Sequence, residues 1–308
     1  MKIQNGACAL TGSACLNKPE LAFRDALQAA FGQLDWLPEP DGAIHRFRLP
    51  GDKPGALNGW YVLFIDGIAS GAFGSWKEAG TWHNWSSRKP SDHLEADLIR
   101  QRIEHAKSQR EAEQAQRQAS AASYAKRLWR EAEPAHPAHP YLATKHVGAF
   151  RLRQHGDLLL VPLYVDGRLC NLQRIASDGT KRFLSGGRVK GAYSPIGALE
   201  PELPLYVCEG WATGATIHAK TGAAVACAMN AGNLKPVAQA LRLKHGSAIQ
   251  IVIAGDDDRQ TEGNPGRTAA TAAAIAIGAD VAFPEWPEGA PLDLSDFNDL
   301  QNWSADHE

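Results

Sequence analysis

Leu205-Tyr206-Val207-Cys208 ends in Glu209-Gly210, and residues 249–254 (Ile-Gln-Ile-Val-Ile-Ala) end in Gly255 followed by Asp256-Asp257-Asp258. Each acid sits where a buried strand stops and a loop begins. In an open α/β sheet the carboxyl ends of neighbouring strands share one crevice, so Glu209 and the Asp-x-Asp are expected to meet in space. Asp256 and Asp258 alternate along extended backbone and point the same way, with Asp257 facing away. A third acidic cluster, Asp293, Asp296 and Asp299, follows the apolar segment 279–283. Carboxylates gathered from three strand ends repel one another unless cations lie between them. Hard oxygen donors of this kind suit Mg²⁺ or Mn²⁺ and the phosphates those ions carry.

Around these strands the pattern alternates strand and helix from Pro204 to about Leu300. Helices are expected over 213–220, closed by Gly222, over 234–241, and over 267–277, closed by Gly278. That alternation argues for an α/β fold, a parallel sheet with helices on both faces. Upstream, residues 1–18 are mostly small and polar, with no expectation of order. A helix is expected over 19–34, with Leu21, Phe23, Leu27 and Phe31 as its buried positions. Residues 43–87 read as a small aromatic β module, glycines marking its turns; Trp60, Trp76, Trp82 and Trp85 are expected to form its core rather than stack bases. Residues 94–133 lack Gly and Pro and read as one long solvated helix. The Pro-His repeat from Pro134 to Pro140 ends it and is expected to mark a domain boundary. The resulting division is 1–93, 94–133, 134–200 and 201–308.

The formal net charge of −2 gives no general case for nucleic acid, so any basic surface must be local. Arg151, Arg153, Arg168, Arg174, Lys181, Arg182, Arg188 and Lys190 form such a run. Asn230, Gly232 and Asn233 mark a further strand end that a phosphate could approach. The five cysteines, Cys8, Cys15, Cys170, Cys208 and Cys227, contain no Cys-x-x-Cys pair, so no zinc ribbon is expected. His83, His136 and His139 lack ligand spacing and read as loop residues. With no membrane-spanning run and no leader pattern, the expectation is a soluble cytoplasmic protein.

The order Glu209-Gly210, Asp256-x-Asp258 and a later acidic cluster resembles the Toprim domain of bacterial-type DNA primases, topoisomerases and some nucleases. The preceding stretch is more specific. His139-Pro140-Tyr141-Leu142, residues 156–163, Asp166-Gly167-Arg168, Asn171-Leu172-Gln173-Arg174 and Asp178 to Leu184 resemble the N-terminal part of the DnaG-class primase core. Asp296-Phe297-Asn298-Asp299-Leu300 is similar to the tail of phage and plasmid Toprim domains. The resemblance covers roughly residues 128–300. It implies a Rossmann-like Toprim sheet preceded by a small mixed α+β basic subdomain and a β-rich module like a zinc ribbon that has lost its metal.

The resemblance further implies a primase of a phage, plasmid or mobile element that makes short RNA primers on single-stranded DNA from ribonucleoside triphosphates. Two Mg²⁺ or Mn²⁺ ions and no zinc are implied. Glu209, Asp256 and Asp258 would be catalytic and metal-binding, Asp296 and Asp299 metal-binding. Arg174, Lys181, Arg182, Arg188, Lys190, Asn230 and Arg259 would contact nucleotide or DNA. A replicative helicase or initiator is the implied partner. Two departures stand out. Residues 260–265 separate Arg259 from Gly266, and the cysteines of a zinc ribbon are missing. The alternatives are a Toprim nuclease using the same ions, or a module that binds DNA or a helicase without chemistry.

Overall fold

The computed structural model describes residues 18–75 and 82–307. Expectations for residues 1–17, Cys8, Cys15 and Trp76 lie outside the described residues. The chain forms two compact units, divided between Glu113 and Gln114.

The first unit begins with α1 (Pro19–Phe31), followed by β1 (His45–Phe47), β2 (Gly59–Phe64), β3 (Ser70–Ser75) and β4 (Trp82–Ser86). The strands form an antiparallel sheet in the order β1-β2-β3-β4. Alternation along β2 separates two layers. Tyr61 and Leu63 join Phe23 and Leu27 of α1, whereas Trp60 and Val62 join Ala72 and Ala106. Trp60 is fully buried, and Trp85 packs edge-on against Phe23, so these aromatics are core. Phe23 and Leu27 are buried as expected, but Leu21 is exposed. Two residues of helix turn it about 200° away from Phe23. Ala106 belongs to α2 (His93–Glu131), the single long helix expected, within which the change of unit falls.

In the second unit the end of α2 supplies Ala125 and Leu128 to a core with Leu160, Leu172 and Leu184. Then come β5 (Glu133–Pro134), α3 (Pro140–Lys145), β6 (Arg153–His155), β7 (Leu158–Val165), β8 (Arg168–Ile175) and β9 (Lys181–Phe183). These five strands make an antiparallel sheet in sequence order. The Pro-His segment thus lies inside this unit, with Pro134 in β5 and Pro140 opening α3. Buried His139 caps α3, its Nδ1 accepting from Tyr141 N at 3.2 Å.

The remaining elements are β10 (Ser194–Ile196), β11 (Leu205–Cys208), α4 (Trp211–Thr221), β12 (Val225–Cys227), α5 (Ala231–His245), β13 (Ile251–Ala254), α6 (Pro265–Ile277), β14 (Asp280–Ala282) and α7 (Phe297–Ala305). Their sheet runs β10-β12-β11-β13-β14. Four strands are parallel, as the alternation implies, and β10 adds an antiparallel edge that the sequence pattern does not reveal. The two sheets of this unit are joined where Tyr164 N donates to Tyr193 O and Tyr193 N to Tyr164 O, at 2.8 and 3.1 Å.

Asn233 pins the loop that leads into β10 against the end of β12. Its Nδ2 donates to Val189 O, Ala192 O and Ala228 O, and its Oδ1 accepts from Gly191 N at 2.7 Å. Of the residues that mark this strand end, Asn233 is therefore a buried pin. Asn233→Ala strands one donor and three carbonyls. It is expected to lower stability by about 3 kcal/mol, read as a shifted midpoint in urea denaturation.

Candidate active site

β11 and β13 are parallel neighbours with Cys208 opposite Ala254, so Glu209 and Asp256 leave the sheet side by side. Glu209 Oε1 and Asp256 Oδ1 are buried and have no hydrogen-bond partner. Burial pushes Glu209 up to about 7; Asp258 and Asp296 add to this, and the Ala231 N–H at the start of α5 opposes it. Asp256 is pushed up to about 8 by burial, then by Glu209, Asp296, Asp258 and Asp299. Five carboxylates from three parts of the sequence thus act on one point.

The others have donors. Asp257 points away, as the alternation requires. Its Oδ1 accepts from Asn264 Nδ2 at 2.7 Å and Arg267 Nε at 3.0 Å, and its Oδ2 from Trp286 Nε1 at 3.2 Å. Burial raises its pKa, but these bonds together win and hold it below the usual carboxylate range. Asp258 Oδ2 accepts from Gly266 N at 2.8 Å. A Cβ at Gly266 would come within 2.7 Å of Asp256 O and 2.9 Å of Asp258 Oδ2, so only glycine allows α6 to start this close. Residues 260–265, an insertion by sequence, supply the cap of that helix. Asn264 Oδ1 accepts from Asp258 N at 2.9 Å and Arg267 N at 3.2 Å.

Asp296 is the N-cap of α7. Its Oδ1 accepts from Asn298 N and Asp299 N, both at 2.8 Å, and its Oδ2 from Thr213 Oγ1 at 2.9 Å. Asp299 pairs with Lys145 Nζ at 3.1 Å and accepts from Ser295 N at 3.2 Å. Asp293 is exposed and stands outside this network. Lys145, Thr213 and Asn264 went unmarked by sequence reasoning. Lys145 lies 154 residues from Asp299, so no local spacing ties them.

The basic candidates separate. Lys181 pairs in register with Ile175, on the face of β8 and β9 that carries Ile175 into the core with Trp211, Cys208 and Ala254. The residue is exposed, but the atoms packed around its ammonium, then Lys145, lower its pKa, with Asp296, Asp256 and Asp299 opposing. Arg174 and Arg182 face each other in register on the opposite side, with Leu160 and Leu172. Arg188 and Lys190 are exposed on the loop before β10, with Arg188 Nε donating to Lys190 O. Asn230 is exposed at the N-cap of α5, its side chain capping nothing. Arg259 is committed to a loop, donating to Pro291 O and Leu294 O and lying 4.4 Å from the Trp286 ring.

A cavity of about 1020 Å³ in the same unit is lined by Trp129, Phe150, Arg151, Arg153, Tyr164 and Lys244, among others. Among the described residues no carboxylate lines it. Arg153 is held against Trp129, donating to its carbonyl at 2.6 Å, while Phe150 is 43 % exposed.

The donor set fits a divalent cation. Glu209 and Asp256 each offer a partnerless buried oxygen, and Asp258 has one oxygen beyond its bond to Gly266. Asp296 and Asp299 already carry structural bonds. Among the described residues, the group of three that brings its ligand atoms within 4.8 Å of one another is Glu39, Asp41 and His45 of the first unit; Glu209, Asp256 and Asp258 are not gathered that tightly without an ion. No helix among the described residues is long and apolar enough to cross a membrane.

Residues 204–303 match the Toprim domain family, and this part of the chain is a Toprim domain. Over 267 residues the chain is 36 % identical to a DNA primase TraC of Escherichia coli, covering 82 % of this chain and 25 % of the relative. A second Escherichia coli DNA primase TraC is 36 % identical over 260 residues, covering 80 % and 18 %. The chain therefore spans about a quarter or less of the curated relatives it matches. No solved structure matches.

Glu209 and Asp256 are both raised above their unfolded values, so the folded state binds more protons between those values and about 7 to 8. Their contribution to stability is lost as pH rises through that window. The metal-free protein is expected to melt lower at pH 8 than at pH 5.5 on their account. Millimolar Mg²⁺ restores the difference, and Asp256→Asn leaves only the Glu209 part of the pH response and weakens the Mg²⁺ response in thermal melts.

Proposed function

We propose that the chain is the catalytic segment of a plasmid- or mobile-element-type primase, making short RNA primers on single-stranded DNA. The observation that carries this reading is the pair of partnerless oxygens on Glu209 and Asp256 in a Toprim crevice that Lys181 also faces. The 36 % identity to proteins named DNA primase supports it.

In this reading Glu209, Asp256 and Asp258 hold Mg²⁺ or Mn²⁺, in two ions, with Asp296 and Asp299 shaping the field around them. Bound there, the metal would neutralise charge on a triphosphate and acidify an attacking hydroxyl. Burial and its acidic neighbours raise Glu209 in the metal-free protein, so a bound cation would favour its charged, ligating form. Lys181 and Lys145 bring positive charge to the acids from the antiparallel sheet and from α3, where an incoming triphosphate would need it. Arg188, Lys190 and Asn230 are exposed at the loop before β10 and at the start of α5, available to nucleotide or DNA. Arg174 and Arg182 lie on the other face of their sheet and would act on a different part of the nucleic acid.

The cavity beside Phe150 suits the template strand. Aromatic rings offer stacking surfaces, Arg151 and Lys244 offer cations, and among the described residues no carboxylate lines it to repel phosphate. A replicative helicase or initiator as partner, and a cytoplasmic setting, complete the proposal.

Primer synthesis on a single-stranded template with labelled ribonucleotides and Mg²⁺ or Mn²⁺ tests it. Short products are expected from the wild type and none from Asp256→Ala. Shortening of an end-labelled template, without products, would point to a nuclease. DNA binding with neither would leave a binding module. Separately, Arg151→Glu is expected to weaken oligonucleotide affinity across all sequences, with the salt dependence flattened by about one unit of slope.

A further inference from the structure

Tyr141 is the second residue of α3, 4 % exposed, with its ring in the core that includes Trp211, Cys208, Cys227 and Ala254. Cys208 and Ala254 directly precede Glu209 and Gly255-Asp256, so the core to which the ring belongs reaches the ends of the two strands that carry the acids. Its hydroxyl is buried and has no hydrogen-bond partner. A fold that needed only the ring could carry phenylalanine and avoid an unsatisfied donor. Asp296 acts on this hydroxyl electrostatically but already accepts three hydrogen bonds. The Lys181 ammonium lies over the ring, 5.4 Å from its centroid.

Since no described side chain or carbonyl accepts from this hydroxyl, it is open to an acceptor that a bound molecule carries. That acceptor must carry oxygen, tolerate Asp296 and the acids that act with it by way of a cation, and be drawn by Lys181 over the ring. A phosphate oxygen of a metal-bound nucleotide meets all three conditions. We propose that the Tyr141 hydroxyl is a substrate-binding donor, its Oη–H hydrogen-bonding to a phosphate oxygen of the incoming ribonucleoside triphosphate. Lys181 moves off the ring toward the same phosphate, which its long stem permits. The inference rests on the nucleotide-using reading given above and adds the residue that senses the nucleotide rather than the metal.

Tyr141→Phe keeps the ring and the lysine contact and removes only the hydroxyl. Thermal melts of the full chain are run without metal, with Mn²⁺ alone, and with Mn²⁺ plus guanosine triphosphate. The variant is expected to melt at or above the wild type without metal and to respond equally to Mn²⁺ alone. Its half-saturating nucleotide concentration is expected to rise ~10- to 100-fold, the loss of one hydrogen bond to a charged group. The KM for nucleotide in primer synthesis should rise with it.

Equal nucleotide responses in wild type and variant would overturn the proposal. So would a lower metal-free melt with unchanged nucleotide affinity, which makes the hydroxyl structural. A lost response to Mn²⁺ alone would assign it to a metal-bound water and also overturn the phosphate contact. A wild type that primes beside an equally competent variant sinks this inference alone. A wild type that neither primes nor responds to nucleotide sinks the nucleotide-using reading, and this inference with it.

Discussion

Repulsion between buried carboxylates governs the second unit. Glu209 and Asp256 are fixed by the parallel pairing of β11 and β13 and cannot separate without breaking that ladder. Each keeps one oxygen out of reach of any donor. Every other acid nearby has been given a donor: Asp257 from Arg267, Asn264 and Trp286, Asp258 from Gly266, Asp296 from the first turn of α7, Asp299 from Lys145. Glu209 and Asp256 are the two acids of this group that keep a buried oxygen without a donor, which is the observation the proposed cation site rests on.

Positive charge reaches this point from a second sheet. Lys181 stands on β9 and Lys145 ends α3, both outside the sheet that carries the acids. The two sheets meet at the Tyr164–Tyr193 bridge, and Lys145 is tied to the acids directly through Asp299. Charge is divided within the antiparallel sheet as well. Alternation sends Lys181 toward the acids and Arg174 with Arg182 to the far side, so a basic run in sequence becomes two surfaces.

The parallel strands and their helices were legible because apolar runs of four to six residues ended in acids or glycines at a regular period. The separation of Asp257 from Asp256 and Asp258 followed from alternation alone. What the sequence hid was non-local. β10 is a three-residue strand with Pro195 at its centre, and only its edge position makes that proline tolerable. Lys145 was invisible because its partner lies on α7. Arg259 looked like a phosphate ligand beside the Asp-x-Asp, yet the loop at 286–294 folds back and takes its hydrogen bonds. Residues 260–265 looked like an interruption because Asn264 acts through its side chain on both sides of the turn, a role no period reveals.

Manganese uptake, followed by the loss of the free-ion electron paramagnetic resonance signal, tests the central claim most directly. The account predicts that wild-type protein removes Mn²⁺ from solution at neutral pH. The Glu209→Gln/Asp256→Asn double variant should lose this uptake while melting no lower than the metal-free wild type, since the repulsion is gone. Equal uptake by the two proteins would contradict it. The buried oxygens would then not be a cation site, and any bound metal would have to be held elsewhere, with Glu39, Asp41 and His45 as the other donor set to examine.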